Sequence, residues 1–227
     1  MNAKEKLLER EMEIIRLLSL LLDKNLDFIV VGGYAVATYK KRFSVDLDLV
    51  VQEKDLPKFE ALCKREKYAE RYDKEISLLY EEKFKRYAKK IKGLEVSIDF
   101  LINWLVSRST DAGWSFEYIK KDSTKRALDS LKFLTPEREL LIAMKFHSGR
   151  LSDIRDVVAL MPCNEERLKT HLLKGNMEKL KESIKRQKYF LEKPQFNDSF
   201  KGVFGVFSYN EKHAKATKQI IQKILNY

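Results

Sequence analysis

Cysteine and histidine are scarce in this chain. The 227 residues hold two cysteines, Cys63 and Cys163, far apart and without CxxC spacing, and three scattered histidines, His147, His171 and His213. That excludes a disulfide framework and a Cys/His zinc site. No run approaches the roughly 20 apolar residues that a membrane span needs, so no membrane partner is expected. Charge begins at Lys4 and no basic segment leads into a short apolar one, which makes a cytoplasmic location the expectation. The sequence also lacks internal repeats and low-complexity segments.

What remains is rich in charge. Apolar residues make up 44% and charged residues 35%, the profile of a globular chain with a highly charged surface, long enough for one large domain or two small ones. The formal net charge is +11, a balance that favours polyanionic partners such as nucleic acid or nucleotide phosphates. Residues 163–227 hold 14 Lys and Arg against 7 Asp and Glu, so much of the excess lies in the second half.

Periodicity predicts a first helix over 3–24, with Leu7, Leu8, Met12, Ile15, Leu18 and Leu22 on its inner face. The run Phe28-Ile29-Val30-Val31 predicts a buried strand that enters a tight turn at Gly32-Gly33, followed by a short helix from Tyr34 to Tyr39. Alternation predicts a second strand over 45–51. A helix over 55–67 follows, with Pro57 in its first turn. Residues 75–92 read as sheet edge and charged loop, 94–101 as a strand with Asp99 embedded in it, and 116–119 as a weaker strand. Thr135-Pro136 reads as a helix start, and from there helices are expected over 136–148, 152–161, 164–174, 176–190 and 209–226, with Ser152 and Asn164 as caps.

The chemistry concentrates in one constellation. Val30-Val31-Gly32-Gly33 is followed, twelve residues on, by Asp46-Leu47-Asp48-Leu49. Acids at i and i+2 of a strand project from one face. Adjacent carboxylates repel and are costly to desolvate, so something positive must sit between them. A pair of Mg²⁺ ions meets that need, because hard oxygen donors suit Mg²⁺ and a carboxylate can bridge two ions. Two glycines between a strand and a helix let backbone N–H groups approach phosphate oxygens. Together these are the minimal apparatus for nucleotidyl transfer from an NTP.

Gly32-Gly33-Tyr34-Ala35-Val36 with Arg42-Phe43-Ser44-Val45-Asp46-Leu47-Asp48 resembles the signature of the polymerase-β-like nucleotidyltransferase superfamily. The nearby alanine and the arginine four residues before the first acid resemble the AbiEii/AbiGii-type toxin nucleotidyltransferases, a branch that includes enzymes modifying the acceptor end of tRNA. The resemblance spans residues 28–161. It implies an α/β (α+β) fold: a mixed sheet flanked by helices in a catalytic domain, 1–134, with a helical domain, 135–227, closing the nucleotide cleft. It implies metal ligation by Asp46, Asp48 and a third carboxylate, for which Asp99 in Val96-Ser97-Ile98-Asp99-Phe100 fits. Phosphate contacts fall to Gly32, Gly33, Arg42 and Ser44. A second match, Leu134-Thr135-Pro136 with Lys145, Arg150 and Asp153-Ile154-Arg155-Asp156, assigns Lys145, Arg150 and Asp153 to the nucleotide, Lys145 in a catalytic role. Ser44 stands where threonine is frequent, and Tyr39 near where histidine is frequent.

The resemblance further implies RNA, at a tRNA 3′ end, as acceptor and a possible antitoxin protein as partner. Nucleotidylation of a protein or a small molecule, and a non-catalytic nucleotide- or RNA-binding module, are the competing readings. Lys179, Lys181, Lys185, Arg186 and Lys188 form a solvated helix face that could grip an RNA backbone. Trp104 and Trp114, with Phe100 and Phe116, read as core or domain interface.

Overall fold

A computed structural model describes residues 3–71 and 83–227, and the chain forms two compact units. The first comprises residues 1–38, 43–105 and 115–136, the second residues 39–42, 106–114 and 137–227. The first contains a mixed sheet with helices packed on it, and the second is helical.

Five strands build the main sheet in the order β1-β2-β5-β4-β3: Phe28–Val31, Asp46–Val51, Leu94–Ile102, Phe84–Ile91 and Ala69–Arg71. β2 runs parallel to β5, and the other three pairings are antiparallel. Period-two alternation sends Leu47, Leu49 and Val51 of β2 and Val96, Ile98, Phe100 and Ile102 of β5 to one face. There they meet Ile14, Leu17, Leu18 and Leu21 from the helix Ala3–Asp23 and Phe59, Leu62 and Cys63 from the helix Leu56–Arg65. Phe59 centres the cluster, its ring 6.4 Å from Phe28 and 5.5 Å from Phe100 in edge or tilted contact. Alternation therefore turns Asp46, Asp48 and Asp99 to the opposite face.

The first helix buries a different stripe from the expected one. Leu7, Leu8 and Met12 are exposed, while Ile14, Leu17, Leu18 and Leu21 are buried. That stripe has i, i+3, i+4, i+7 spacing, and it places Glu13 where Tyr68 donates to its carboxylate at 3.0 Å and Arg16 at 2.8 Å. A helix with so many leucines offers several stripes, and the partners of Glu13 fit only this one.

Part of 75–92 lies outside the described residues, but 84–91 is an inner strand, β4, rather than an edge. Residues 116–119 belong to a helix, Phe116–Lys121, because Ser115 caps it by accepting from the Tyr118 amide at 3.2 Å. Thr135-Pro136 does not start a helix. It ends β9, Leu131–Pro136, which pairs antiparallel with β8, Ser123–Leu128, through a two-residue turn at Asp129-Ser130. Proline, lacking a ladder donor, is tolerated at that terminal position. A further two-stranded ribbon pairs β6, Trp104–Ser107, with β7, Ala112–Ser115.

The second unit is organised around the helix Arg138–His147, buried continuously from Leu140 to His147. Helices Ile154–Leu160, Glu165–Leu172, Met177–Glu192 and Glu211–Leu225 follow in the expected places, and Asn164, Asn176 and Asn210 cap the last three. Ser152 sits inside a single 3₁₀ turn and caps nothing. The helix Phe196–Phe204 was not anticipated; its Phe196 and Phe200 pack with Tyr209, and Phe204 stacks on Phe200. Of the four aromatics singled out above, Phe100, Trp114 and Phe116 are buried and Trp104 is exposed.

Candidate active site

β1 and β2 pair so that Val31 lies opposite Asp48, and β2 and β5 pair so that Asp48 lies opposite Asp99. Asp46 stands two residues earlier on the same face of β2. One carboxylate oxygen from each of the three acids lies within 4.8 Å of the others. Parallel pairing of two separate strands thus assembles three acids 53 positions apart in sequence at their extremes.

Gly32 makes room for them. It adopts φ +63°, a left-handed conformation that side chains disfavour, and a Cβ built on it would stand 1.9 Å from the Asp48 Oδ2. The first glycine of the pair therefore serves Asp48 directly: the turn closes over the carboxylate. Gly33 is buried in the short helix Gly32–Ala37, and Ser44 is half-buried in the irregular segment before β2.

Asp99 is the buried member, 4% exposed. Arg86, opposite it on β4, donates from Nε to Oδ1 at 2.7 Å and from its terminal nitrogen to Oδ2 at 2.6 Å. Burial raises the Asp99 pKa, the Arg86 bonds oppose it, Asp46 adds to the rise, and the net position is above the ordinary carboxylate range. The guanidinium is correspondingly held above its usual value by Asp99, with Asp46 and Asp48 contributing. Ionised, the three acids and Arg86 sum to −2.

This donor set fits a hard divalent cation. All three groups are carboxylates, and oxygens across a Mg²⁺ octahedron stand about 4 Å apart, so a modest side-chain rotation would let them hold such an ion. The buried Asp99 carboxyl, lifted in pKa by burial and a neighbouring acid, is the kind of group that a cation relieves.

The second unit gathers the other sequence candidates. Lys145 is buried, its Nζ 2.7 Å from the Asp156 Oδ2 and 3.4 Å from the Asp153 Oδ1. Arg150 donates from Nε to Asp153 at 2.9 Å, and Arg42 bonds the other oxygen of Asp156. Burial pulls the Lys145 pKa down, but Asp156 and then Asp153 outweigh it and set it above the ordinary value. Burial pushes Asp153 up, and Lys145 and Arg150 reverse that to leave it low. The five groups sum to +1. Arg42 also lies over the Phe204 ring at 5.7 Å.

Sequence reasoning missed Arg86, and it named Asp156 only within the acidic pair of the second match, with no role of its own. Among 45 Lys and Arg, nothing local marks Arg86; only the β4–β5 register does. The apolar run that follows Asp156, Val157-Val158, was the signal that it is buried.

No protein-family model and no curated protein matches the chain. Solved structures do. A candidate nucleotidyltransferase from H. pylori matches at TM-score 0.52 and 16% identity, covering 98% of this chain and 96% of that one. An antigenic nucleotidyltransferase-like protein from Paracoccidioides brasiliensis matches at 0.49 and 15%, over 85% and 92%. The lincosamide antibiotic adenylyltransferase LnuA, solved with lincomycin, matches at 0.46 and 15%, over 71% and 97%. At these identities the likeness concerns architecture: the chain has a nucleotidyltransferase-type fold, a mixed α+β arrangement with a central sheet flanked by helices.

Proposed function

We propose that this chain is a Mg²⁺-dependent nucleotidyltransferase that moves a nucleoside monophosphate from an NTP to RNA, at a tRNA 3′ end, as a toxin of the AbiEii kind with a protein antitoxin. The observation that carries the catalytic part is the meeting of Asp46, Asp48 and Asp99 beneath the Gly32 turn. In the reaction an acceptor hydroxyl oxygen bonds to the α-phosphorus, the bond from that phosphorus to the pyrophosphate oxygen breaks, the pyrophosphate leaves, and the hydroxyl proton passes to solvent. When bound, the metal pair would polarise the triphosphate and favour the alkoxide.

The residues do the rest. Asp46 and Asp48 would hold the ions, and Asp99, braced by Arg86, would complete the donor set. Gly32, Gly33 and Ser44 receive phosphate oxygens. The resemblance assigns triphosphate contacts also to Arg42, Lys145, Arg150 and Asp153, and we keep that assignment within the proposal. Arg150 is the most exposed of these side chains, at 66%, and Lys145 fixes Asp153 from within the unit.

An RNA acceptor is supported by charge. The helix Met177–Glu192 buries Leu180, Ile184, Gln187 and Leu191 and exposes Lys179, Lys185 and Arg186, a basic face suited to a phosphate backbone. Incubation with Mg²⁺, each α-labelled NTP in turn and total RNA tests this, beside an Asp46→Ala, Asp48→Ala control. Label on a tRNA-sized band that the control lacks is the expected result. Label on protein, or on neither, would overturn the RNA acceptor.

A further inference from the structure

We propose that Arg86 is a built-in counter-ion for the metal centre: it holds Asp99 in place of a cation and yields it when nucleotide and metal arrive. The inference rests on the metal-dependent reading above and concerns the order in which the centre fills.

Both oxygens of Asp99 are engaged by one guanidinium, at 2.7 Å and 2.6 Å, the parallel two-bond geometry that makes arginine–carboxylate pairs strong. The pairing is set by the backbone, since Arg86 and Asp99 are register partners on neighbouring strands and share the face that carries Asp48. Asp99 is almost fully buried, so a carboxylate there without a partner would be costly. Arg86 removes that cost. It does so, however, by occupying the oxygens that an ion needs.

An ion that takes Asp99 must therefore displace at least one arm of the fork. Asp46 and Asp48 are less buried than Asp99, so a cation arriving from solvent would meet them first. The Phe84 ring, two residues earlier on the same face of β4, already stands 5.9 Å from the guanidinium, a contact that would stay with Arg86 as the fork opens. The residue is a positioning residue for Asp99, and its second effect is to weaken metal binding when no nucleotide is present.

Mn²⁺ titration followed by electron paramagnetic resonance tests this without any turnover. Arg86→Met keeps the length of the side chain and removes the charge and the fork. Without nucleotide it should bind Mn²⁺ about tenfold more tightly than the wild type, or better, the worth of one charge-assisted hydrogen bond. Arg86→Lys, which keeps charge but not the bidentate bond, should fall between the two, and it carries the test alone where the Met variant does not fold. Equal or weaker Mn²⁺ binding in the variants, with wild-type protein binding Mn²⁺ in the presence of NTP, would overturn the proposal alone. Wild-type protein that binds no Mn²⁺ even with NTP would overturn the metal reading as well.

Discussion

The two units each gather acids against the protein interior, and they treat them differently. In the sheet, Asp46, Asp48 and Asp99 with Arg86 sum to −2, and the buried Asp99 stays above the ordinary carboxylate range despite its fork of hydrogen bonds. In the helical unit, Asp153 and Asp156 face Lys145, Arg42 and Arg150, the sum is +1, and Asp153 is driven low. Buried acids that are over-compensated are held as ions by their own neighbours. Acids that remain under-compensated are arranged for a charge that comes from outside. On the reading proposed above, the first group would receive cations and the second would face the triphosphate.

The largest effect expected from breaking this contrast is catalytic. Asp46→Asn or Asp48→Asn should lower nucleotidyl transfer by roughly 10³-fold or more, the scale of several kcal/mol of transition-state charge stabilisation. The same variants should melt no lower than the wild type, because a like-charge neighbour is removed. The mirror experiment, Lys145→Met, should cost about 3–5 kcal/mol of stability by leaving Asp153 and Asp156 buried without their ammonium. Adding Asp153→Asn to it should recover part of that loss, as a double-mutant cycle in thermal unfolding would read.

Acid provides a sharper cut. His147 is buried, with its Nδ1 2.7 Å from Thr110 Oγ1, its Nε2 3.0 Å from the Leu172 carbonyl and the Trp114 ring at its edge. Burial holds its pKa down, from 6.5 to about 4, with the Leu172 bond opposing. The unfolded chain takes up this proton near 6.5 and the folded chain only near 4. Stability from this group is therefore complete above about 6.5 and is lost as pH falls toward 4, by about 3 kcal/mol in all. Urea unfolding across that window should show the slope, and His147→Gln should flatten it. A slope unchanged in the variant would move the acid sensitivity elsewhere.

A smaller effect falls on the turn. Gly32→Ala must relieve both a φ of +63° and a 1.9 Å clash with Asp48, which costs about 1–2 kcal/mol of stability from the backbone alone. Because the clash is with Asp48, the variant should also lose transfer activity out of proportion to its melting temperature.

Much of this was legible in the sequence, for a physical reason. Asp46 and Asp48 alternate with leucines on one strand, so their shared face follows from period two alone. Asp99 needed the resemblance to be placed beside them, because nothing in its own flanks states which strand it pairs with. Arg86 stayed hidden for the same reason, since its meaning lies wholly in the β4–β5 register. The first helix was legible as a helix but not as a face, because leucines surround it and the polar Glu13 chooses the stripe. Thr135-Pro136 satisfies the local rule for a helix start, yet the hairpin with Ser123–Leu128 claims those residues first.

Pyrophosphate release tests the central claim most directly: wild-type protein and Asp48→Asn, each shown to be folded, are given the four NTPs and total RNA in Mg²⁺ or in EDTA. The account predicts release by the wild type in Mg²⁺, none in EDTA, and loss of nearly all of it in Asp48→Asn. Release that persists in EDTA, or an Asp48→Asn variant that works at the wild-type rate, would contradict it.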